Sequence, residues 1–299
     1  MKVGVVGGGP IAQALTALAL EAGNDALLAG KRVRRRLPLC DDVAEIGAFS
    51  DLVLIALPAW EIRRTLELLR LEPRHRCVLF TRGLDSETGR WLTHIVPKLS
   101  PCVRVGVMAG PLVAAEVFKG IPTAVVAASE YRDVGRMTQD GLHSPRCRVY
   151  TSLDPYAVEL AATMVAVLAV AVGISDGMGL GVGTRGIVVA RGLAEASRLA
   201  GALAVDPGGL MGLAGLGELF AATSHPKHPA YLDGRAILDG QDRKKSEPIR
   251  AAATALAVAR ANGVELPLTA AIHAIAHGKL GAHDALTMLM ERPAQEGEL

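Results

Sequence analysis

Long apolar runs, cysteine pairs and a surplus of either charge are missing from this sequence. Its longest apolar run, residues 161–172, is shorter than the roughly 20 residues that span a bilayer. The N-terminus lacks the longer apolar stretch and small-residue cleavage site of a secretory signal. A net charge of +2 argues against nucleic-acid binding, which usually needs a strong basic surplus. We therefore predict a cytoplasmic protein with no membrane span and no nucleic-acid partner.

The cysteines are few and widely spaced: Cys40, Cys77, Cys102 and Cys147. They form no CxxC pair of the kind that holds zinc or performs redox chemistry, so no metal site is predicted. Reduced, buried thiols are the expected state.

What the sequence does contain is enough chain for two domains. It has 299 residues, of which 50% are hydrophobic and 21% charged, as is typical of soluble globular proteins. Short apolar segments bounded by Pro, Gly or charge recur in the first half and predict strands at residues 2–6, 26–29, 52–57, 77–80, 103–108, 123–128 and 147–150. Helical periodicity at 11–21, 59–71 and 86–96, with Ser86 as a cap, separates several of them. Strands alternating with helices predict a doubly wound, mainly parallel α/β sheet of the Rossmann type.

The pattern changes after the last strand. Asp154 followed by Pro155 is a helix-start signature, and helical periodicity dominates from there at 155–172, 184–204, 248–262, 268–277 and 282–291. We predict a Rossmann domain over 1–152 and an all-α substrate and dimerisation domain over 153–299. The run 161–172 is apolar all round, which predicts a central helix buried on every side.

A glycine-rich turn follows the first predicted strand. Gly7, Gly9 and Ala12 fit G-x-G-x-x-A: Gly7 permits the tight turn, Gly9 lets a pyrophosphate approach the backbone, and Ala12 lets the helix pack on the strand. Free N–H groups at the helix start, around Pro10 and Ile11, face the phosphates. The turn predicts dinucleotide binding.

The end of the second strand bears on the choice of cofactor. An NAD site usually has a carboxylate here, whereas this chain has Lys31 and Arg32, which favours NADP with NAD possible. The alternative is that Lys31 and the cluster 34–36 are a solvated loop.

Several sequence blocks beyond the glycine turn occur in the same order as the motifs of one protein family. They are TRGLD and ETG (81–89), AGP (109–111) with Ala114 and Glu116, GIPTA (120–124), SDGMG (175–179), RGLAE (191–195), GLAGLGEL (212–219) and, more weakly, GVELP (263–267). They resemble the T-K-G-L-E, E-T-G, S-G-P-[ST]-F-A-x-E, G-x-P-T-A, S-D-G-x-G, T-R-G-L-A-E and G-x-A-G-L-G-D-L blocks of bacterial NAD(P)-dependent glycerol-3-phosphate dehydrogenase. The resemblance implies reversible hydride transfer between NAD(P)H and dihydroxyacetone phosphate, a phosphorylated small molecule.

The chain departs from that family where the chemistry lies. The family has an active-site Lys in a G-A-x-K-N-x-x-A-I pattern on its long helix, and here Val165 and Ala166 stand at the Lys and Asn positions. The family's S-R-N tripeptide falls on His228, Pro229 and Ala230. Three further exchanges follow: the Lys of T-K-G is Arg82, the Asp of G-L-G-D is Glu218, and the Ser or Thr of G-P-[ST]-F is Leu112.

Two hypotheses remain open. In the first, the chain is an active oxidoreductase with a rearranged site, in which Glu218, Arg82 and the loop around His225, Lys227 and His228 replace the missing groups. In the second, it is a diverged paralogue that binds NADP but acts on another carbonyl compound, or a non-catalytic dinucleotide-binding protein.

The remaining assignments place the substrate in the cleft between the domains, at the carboxyl ends of the strands. Substrate contacts are assigned to Arg82, Gly110, Leu112, Asp176 and Arg185, although Asp176 and Arg185 can equally cap the helix near residue 184. Further cofactor contacts are assigned to Pro58, Ala114 and Glu247. A homodimer is expected.

Overall fold

A computed structural model describes residues 1–31, 33, 36–85, 87–225 and 227–291 of the chain. The first half forms one sheet whose strands are β1 (Lys2–Val6), β2 (Asp25–Ala29), β3 (Leu39–Cys40), β4 (Leu52–Ile55), β5 (Arg76–Leu79), β6 (Val105–Ala109), β7 (Thr123–Ala128) and β8 (Cys147–Ser152). Their order is β3-β2-β1-β4-β5-β6-β7-β8. The pair β6 and β7 is antiparallel and the other pairs are parallel. The predicted Rossmann-type sheet is confirmed.

Helices cover both faces of this sheet, as a parallel sheet requires. They are α1 (Pro10–Glu21), α2 (Val43–Phe49), α3 (Ile62–Leu69), α4 (Leu92–Leu99), α5 (Ala114–Val117) and α6 (Arg132–Leu142), with a 3₁₀ turn at Ala59–Glu61. Strands β1, β4 and β6 are buried along almost their whole length, so the core of this half lies on both sides of the central strands.

The second half is helical, as predicted. Its helices are α7 (Pro155–Gly177), α8 (Val182–Ala202), α9 (Glu218–Ser224), α10 (Pro229–Leu238), α11 (Glu247–Ala261), α12 (Pro267–Ala276) and α13 (Ala282–Met290). A 3₁₀ turn (Pro207–Met211) and one π-helical turn (Leu213–Gly217) lead into α9. The division of the domains after residue 152 stays a prediction.

Helix α7 is the centre of the helical half. The Asp154 carboxylate accepts the Ala157 amide at 2.9 Å, and Pro155 occupies the first turn, as the helix-start signature predicted. By length and composition α7 can cross a membrane, but its most apolar 18-residue window is 100% buried inside the protein. The close fit extends to backbone contact, since a Cβ on Gly234 of α10 would lie 2.2 Å from the Val170 carbonyl oxygen. The prediction of a helix buried on every side is confirmed.

A buried carboxylate joins the two halves. Glu159 of α7 is 1% exposed and accepts hydrogen bonds from the Leu92 amide and, at 2.9 Å, from the Thr93 hydroxyl at the start of α4. It satisfies amides that the first turn of a helix leaves unpaired. Burial raises the pKa of Glu159 to about 7, and the hydrogen bonds from Leu92 and Thr93 offset this only in part.

Two boundary predictions were wrong. The helix predicted at 86–96 begins instead at Leu92, because residues 87–91 turn around Asp85, whose carboxylate accepts the Thr88 amide at 3.0 Å, and Gly89 has φ +65°. Ser86, predicted as its cap, lies outside the described residues. Helix α7 runs five residues beyond the predicted end, so Asp176 lies inside α7, not in a turn.

Candidate active site

The glycine turn has the shape that a dinucleotide requires. Gly7 has φ +142°, and a Cβ there would lie 2.4 Å from the Ala56 carbonyl oxygen and 3.1 Å from the Ala12 side chain. At Gly9 a Cβ would meet nothing within 4 Å, so open space lies in front of this residue. Gly9 is the N-cap of α1 and no side chain caps the helix, which leaves first-turn amides such as that of Ile11 free to bind phosphate. The residues present therefore fit a bound pyrophosphate.

Two further glycines make the turn possible, and the motif did not single them out. A Cβ on Gly8 would lie 1.8 Å from the Lys31 carbonyl oxygen, and one on Gly30 would lie 2.3 Å from the Gly7 carbonyl oxygen. The turn after β1 therefore packs backbone to backbone on the residues after β2. The signal was present in the sequence as three successive glycines.

The end of β2 carries the predicted cation. Lys31 is exposed, and its carbonyl oxygen lies against Gly8 of the turn. Arg32, assigned with it, lies outside the described residues, as do Arg34 and Arg35.

A second cluster forms at the carboxyl ends of β5 and β6. Arg82 follows β5, and its guanidinium donates to Glu218 of α9, with Nε 3.0 Å from Oε1 and Nη2 on the same oxygen. The other carboxylate oxygen of Glu218 accepts the Gly110 amide at 3.1 Å. The Glu218 side chain is 4% exposed and that of Arg82 23%. The structure thus brings together Arg82, Gly110 and Glu218, which sequence reasoning had placed in one cleft.

The backbone fixes the cation in this position. Thr81 donates its hydroxyl to the Leu57 carbonyl at 2.9 Å, and the Gly83 amide donates to the Thr163 hydroxyl of α7 at 3.2 Å. The loop that carries Arg82 is therefore held from both domains. Thr163, two residues before Val165, was not identified from the sequence because a lone Thr in an apolar helix gives no signal.

Two other groups surround Arg82. Burial alone would lower the pKa of Arg82, but the charges of Glu218 and Glu247 raise it above its ordinary value. Burial raises the pKa of Glu247, and the charge of Arg82 offsets this only in part. Burial, followed by the charge of Arg82, lowers the pKa of His228 to about 4. His228 is therefore neutral at pH 7, and its Nδ1 is buried without a hydrogen-bond partner among the described residues.

The position that corresponds to the family lysine is apolar. Val165 is 2% exposed and belongs to a cluster with Leu219, Ala251 and Ala252 from α9 and α11. An isopropyl group here neither donates a proton nor polarises a carbonyl.

Other predicted site residues lie apart from this cluster. Asp176 accepts hydrogen bonds from Arg185 and, at 3.0 Å, from the Tyr231 hydroxyl, so these three residues join the ends of α7, α8 and α10. Leu112 is 6% exposed in the Rossmann core, and Lys227 is exposed. Their assignments to substrate binding and catalysis stay predictions.

Pro58 and Ala114 occupy backbone positions at the same sheet edge. Pro58 precedes the 3₁₀ turn after β4, and Ala114 begins α5 after β6. Their assignment to cofactor binding, like that of Pro10, also stays a prediction.

Two cavities flank the Arg82 and Glu218 pair. One of about 500 Å³ is lined by Arg82, Gly83 and Glu247, together with Trp60, whose ring carries the Arg250 guanidinium 4.6 Å from its centroid. The other, of about 840 Å³, begins at Pro111, next to Gly110, and runs along α9. We call it the edge cavity because it reaches the edge strand β8.

Comparison with known proteins gives one consistent family. The family model described as NAD-dependent glycerol-3-phosphate dehydrogenase N-terminus matches residues 3–134, and its C-terminus counterpart matches 154–287. Glycerol-3-phosphate dehydrogenase [NAD(P)+] of Methylibium petroleiphilum is 36% identical over 85% of this chain and 78% of the relative. The protein of the same name from Alkalilimnicola ehrlichii is 33% identical over 99% of this chain and 98% of its own.

Solved structures agree. The crystal structure of glycerol-3-phosphate dehydrogenase from Coxiella burnetii superposes with a TM-score of 0.90 at 27% identity, covering 97% of this chain and 99% of the other. A ketopantoate reductase from Ralstonia eutropha, at 13% identity and a TM-score of 0.64 over 96% of this chain and 100% of its own, shares the fold alone.

Proposed function

Because the chain belongs to the NAD-dependent glycerol-3-phosphate dehydrogenase family, we propose that it transfers a hydride between NAD(P)H and the carbonyl carbon of dihydroxyacetone phosphate, giving glycerol 3-phosphate. The observation that carries the proposal is the cluster of Arg82, Gly110 and Glu218 at the carboxyl edge of the sheet that also bears the glycine turn. Ligands of doubly wound sheets bind at this edge.

The turn holds the cofactor in this proposal. The backbone from Gly9 to Ala12 grips the diphosphate, and Lys31 meets the 2′-phosphate that distinguishes NADP from NAD. No carboxylate stands at the end of β2, so NADP is the preferred cofactor and NAD is accepted. The bound nicotinamide supplies the hydride.

Arg82 acts on the oxygen of the reacting carbonyl. When the hydride reaches carbon, negative charge develops on this oxygen, and a fixed guanidinium stabilises it. Since its pKa is raised, Arg82 keeps its proton, so the proton of the product hydroxyl comes from another group. Glu247 is the candidate proton donor because it lines the same cavity as Arg82 and burial raises its pKa. His228, neutral at pH 7, serves as a hydrogen-bonding partner of the substrate.

A second candidate function has one specific observation in its favour. The buried Val165 stands at the family's lysine position, and Glu218 already occupies Arg82, so a paralogue that reduces a different carbonyl, or only binds NADP, fits the same site. In the oxidoreductase hypothesis, Arg82 and Glu218 instead take over the role of the lysine that Val165 replaces.

The test is NADPH and NADH oxidation with dihydroxyacetone phosphate beside a panel of other carbonyl compounds. Oxidation with the triose phosphate alone supports the proposal and removes the binding-protein alternative. Saturable NADPH binding with no turnover of the triose phosphate overturns the proposal in favour of the paralogue. No saturable binding of either coenzyme at millimolar concentration removes both.

We further propose a cytoplasmic homodimer. Four free, buried cysteines favour a reducing compartment, and α8 presents exposed apolar side chains, with Val182 84% and Ile187 50% exposed. Light scattering of the purified protein tests the stoichiometry, and a monomer at micromolar concentration contradicts it.

A further inference from the structure

The edge cavity adjoins the cluster but has no part in the site described so far. Its lining includes Ala124 of β7 and Arg148 of β8, and one wall is α9, where Phe220, 71% exposed, and Ala221 come shortly after Glu218. Helix α9 thus carries both the carboxylate of Glu218 and the cavity wall. A ligand held at Gly110 has this cavity beside it.

The position of Arg148 relative to the cluster follows from the strand register. Ala109 of β6 pairs with Val126 of β7, and Ala124, two residues earlier, pairs with Arg148 of β8. Because side chains alternate along a strand, Ala109, Ala124 and Arg148 lie on one face of the sheet. Ala109 packs in the helical core, which shows that this face turns toward the helical domain. Two strand spacings of about 4.8 Å separate the backbone of Arg148 from β6, which ends at Ala109, directly before Gly110.

Arg148 is a cation without a counter-charge among the described residues. It is exposed, lines the edge cavity and makes no hydrogen bond or ion pair there. Its neighbour Arg146 differs, since its guanidinium is paired with Glu21, with Nε 2.8 Å from the carboxylate. The carboxylate that lines the cavity is Glu116, which lies on α5 rather than on β8. A bound anion is therefore drawn toward β8.

The cation in the cluster is not available in the same way. Arg82 already donates twice to Glu218 and lies in the field of Glu247, so an incoming phosphate has to compete with two carboxylates. At the position of the family's S-R-N arginine this chain has Pro229, the first residue of α10. A phosphorylated substrate needs a cation elsewhere.

We infer that the edge cavity is the subsite for the phosphate of the substrate, with Arg148 as its recognition residue and with Ser224, the last residue of α9, and His225 lining the same cavity. Arg148 determines specificity and takes no part in the hydride transfer. The inference rests on the proposed function for its substrate, a triose phosphate, while the unpaired arginine and the strand register are independent of it. An arginine binds phosphate through two N–H donors, and the loss of one such contact weakens binding about tenfold.

The test compares Arg148→Gln with Arg136→Gln, which removes the same charge from an exposed, unpaired position on α6. In Arg148→Gln the KM for dihydroxyacetone phosphate should rise about tenfold, while the KM for unphosphorylated dihydroxyacetone and the kcat with either stay unchanged. Arg148→Lys should restore part of the loss, since a lysine keeps the charge without the second donor. Arg136→Gln should match the parent protein. Equal effects of Arg148→Gln on both substrates, or equal effects of the two variants, overturn the inference.

Calorimetric titration with glycerol 3-phosphate in the presence of NADPH separates this inference from the proposed activity. If no carbonyl is reduced but glycerol 3-phosphate binds and Arg148→Gln weakens that binding, the subsite stands and the activity fails. If turnover occurs and Arg148→Gln leaves both KM and binding unchanged, the activity stands and the subsite fails.

Discussion

The glycine turn after β1 and the cluster around Arg82 both lie at the carboxyl edge of the sheet, but they are built differently. In the turn, backbone amides at the start of α1 point into open space at Gly9, and no side chain caps them. In the cluster, Arg82 and Glu218 come from positions 136 residues apart and neutralise each other. A backbone site has no internal counter-charge, whereas a side-chain site carries its own. Cofactor affinity should therefore depend on the open space in front of Gly9. Substrate binding and turnover should depend on the charges of Arg82 and Glu218.

The largest expected effect comes from removing charge in the cluster while keeping its shape. Glu218→Gln should lower kcat/KM with dihydroxyacetone phosphate about thousandfold, within the range that fixed polar groups contribute, because Arg82 loses its counter-charge and a carboxamide cannot accept from both Arg82 and the Gly110 amide. NADPH affinity should not change. Steady-state kinetics and fluorescence titration with NADPH measure the two quantities, with Glu67→Gln, at an exposed position on α3, as the control. A parallel loss of cofactor affinity would show that the two sites are not separate.

The second largest effect is expected from filling the open space in front of Gly9 without changing any charge. Gly9→Val should weaken NADPH binding about hundredfold, since losing close approach to a charged group costs about 3 kcal/mol. The melting temperature should fall by only a few degrees, because a Cβ there meets no protein atom within 4 Å and φ is −74°, although valine is a poorer N-cap than glycine. Gly201→Val on the surface of α8, also open within 4 Å, is the matched control for binding. If Gly9→Val binds NADPH normally, the pyrophosphate does not lie against this residue.

A third effect concerns Glu159, the buried carboxylate that joins α7 of the helical half to the start of α4 in the Rossmann half. Glu159 has a pKa of about 7 when folded, above the ordinary 4.5 of the unfolded chain, so folding favours its protonated form. Stability should accordingly fall as pH rises from about 5 to 7, by about 2 kcal/mol from this group. Urea unfolding at a series of pH values should show the decline, and Glu159→Gln, which keeps an acceptor and cannot ionise, should remove that part of it. An identical slope in both proteins refutes the assignment.

The smallest effect is expected from removing the positive charge of Lys31, next to the glycine turn. Lys31→Gln should weaken NADPH binding about fivefold and leave NADH binding unchanged, since an exposed cation contributes about 1 kcal/mol to a phosphate contact. The ratio of the two dissociation constants is the measurement. If both coenzymes weaken equally, Lys31 acts on the diphosphate and not on the 2′-phosphate.

Local patterns accounted for most of the fold. The strands from β1 to β8 other than β3 were predicted within a few residues, because each is a short buried apolar run, and the family named from the motif order is confirmed by both family models. Strand β3, with two residues, and helix α2, with seven, are too short to give periodicity. Helix α9 was missed because it has seven residues and directly follows a π-helical turn, and helices α6 and α10 were also not predicted.

The cluster was predictable only as a set of residues. Motif order placed Arg82, Gly110 and Glu218 in one cleft, but nothing local to any of them indicates that Glu218 binds both others. Burial raises the pKa of Glu247, whereas burial and the charge of Arg82 lower the pKa of His228, and sequence spacing reveals neither environment. Arg148 was not predicted as a site residue, because its position relative to Gly110 depends on the register of three strands.

The tight surroundings of Val165 have a consequence for protein engineering. A lysine introduced there would place an ammonium among buried apolar side chains of α7, α9 and α11. Installing the amine therefore requires a companion exchange that opens a polar path to it. A designer who alters this position alone should expect a folding defect before any gain in catalysis.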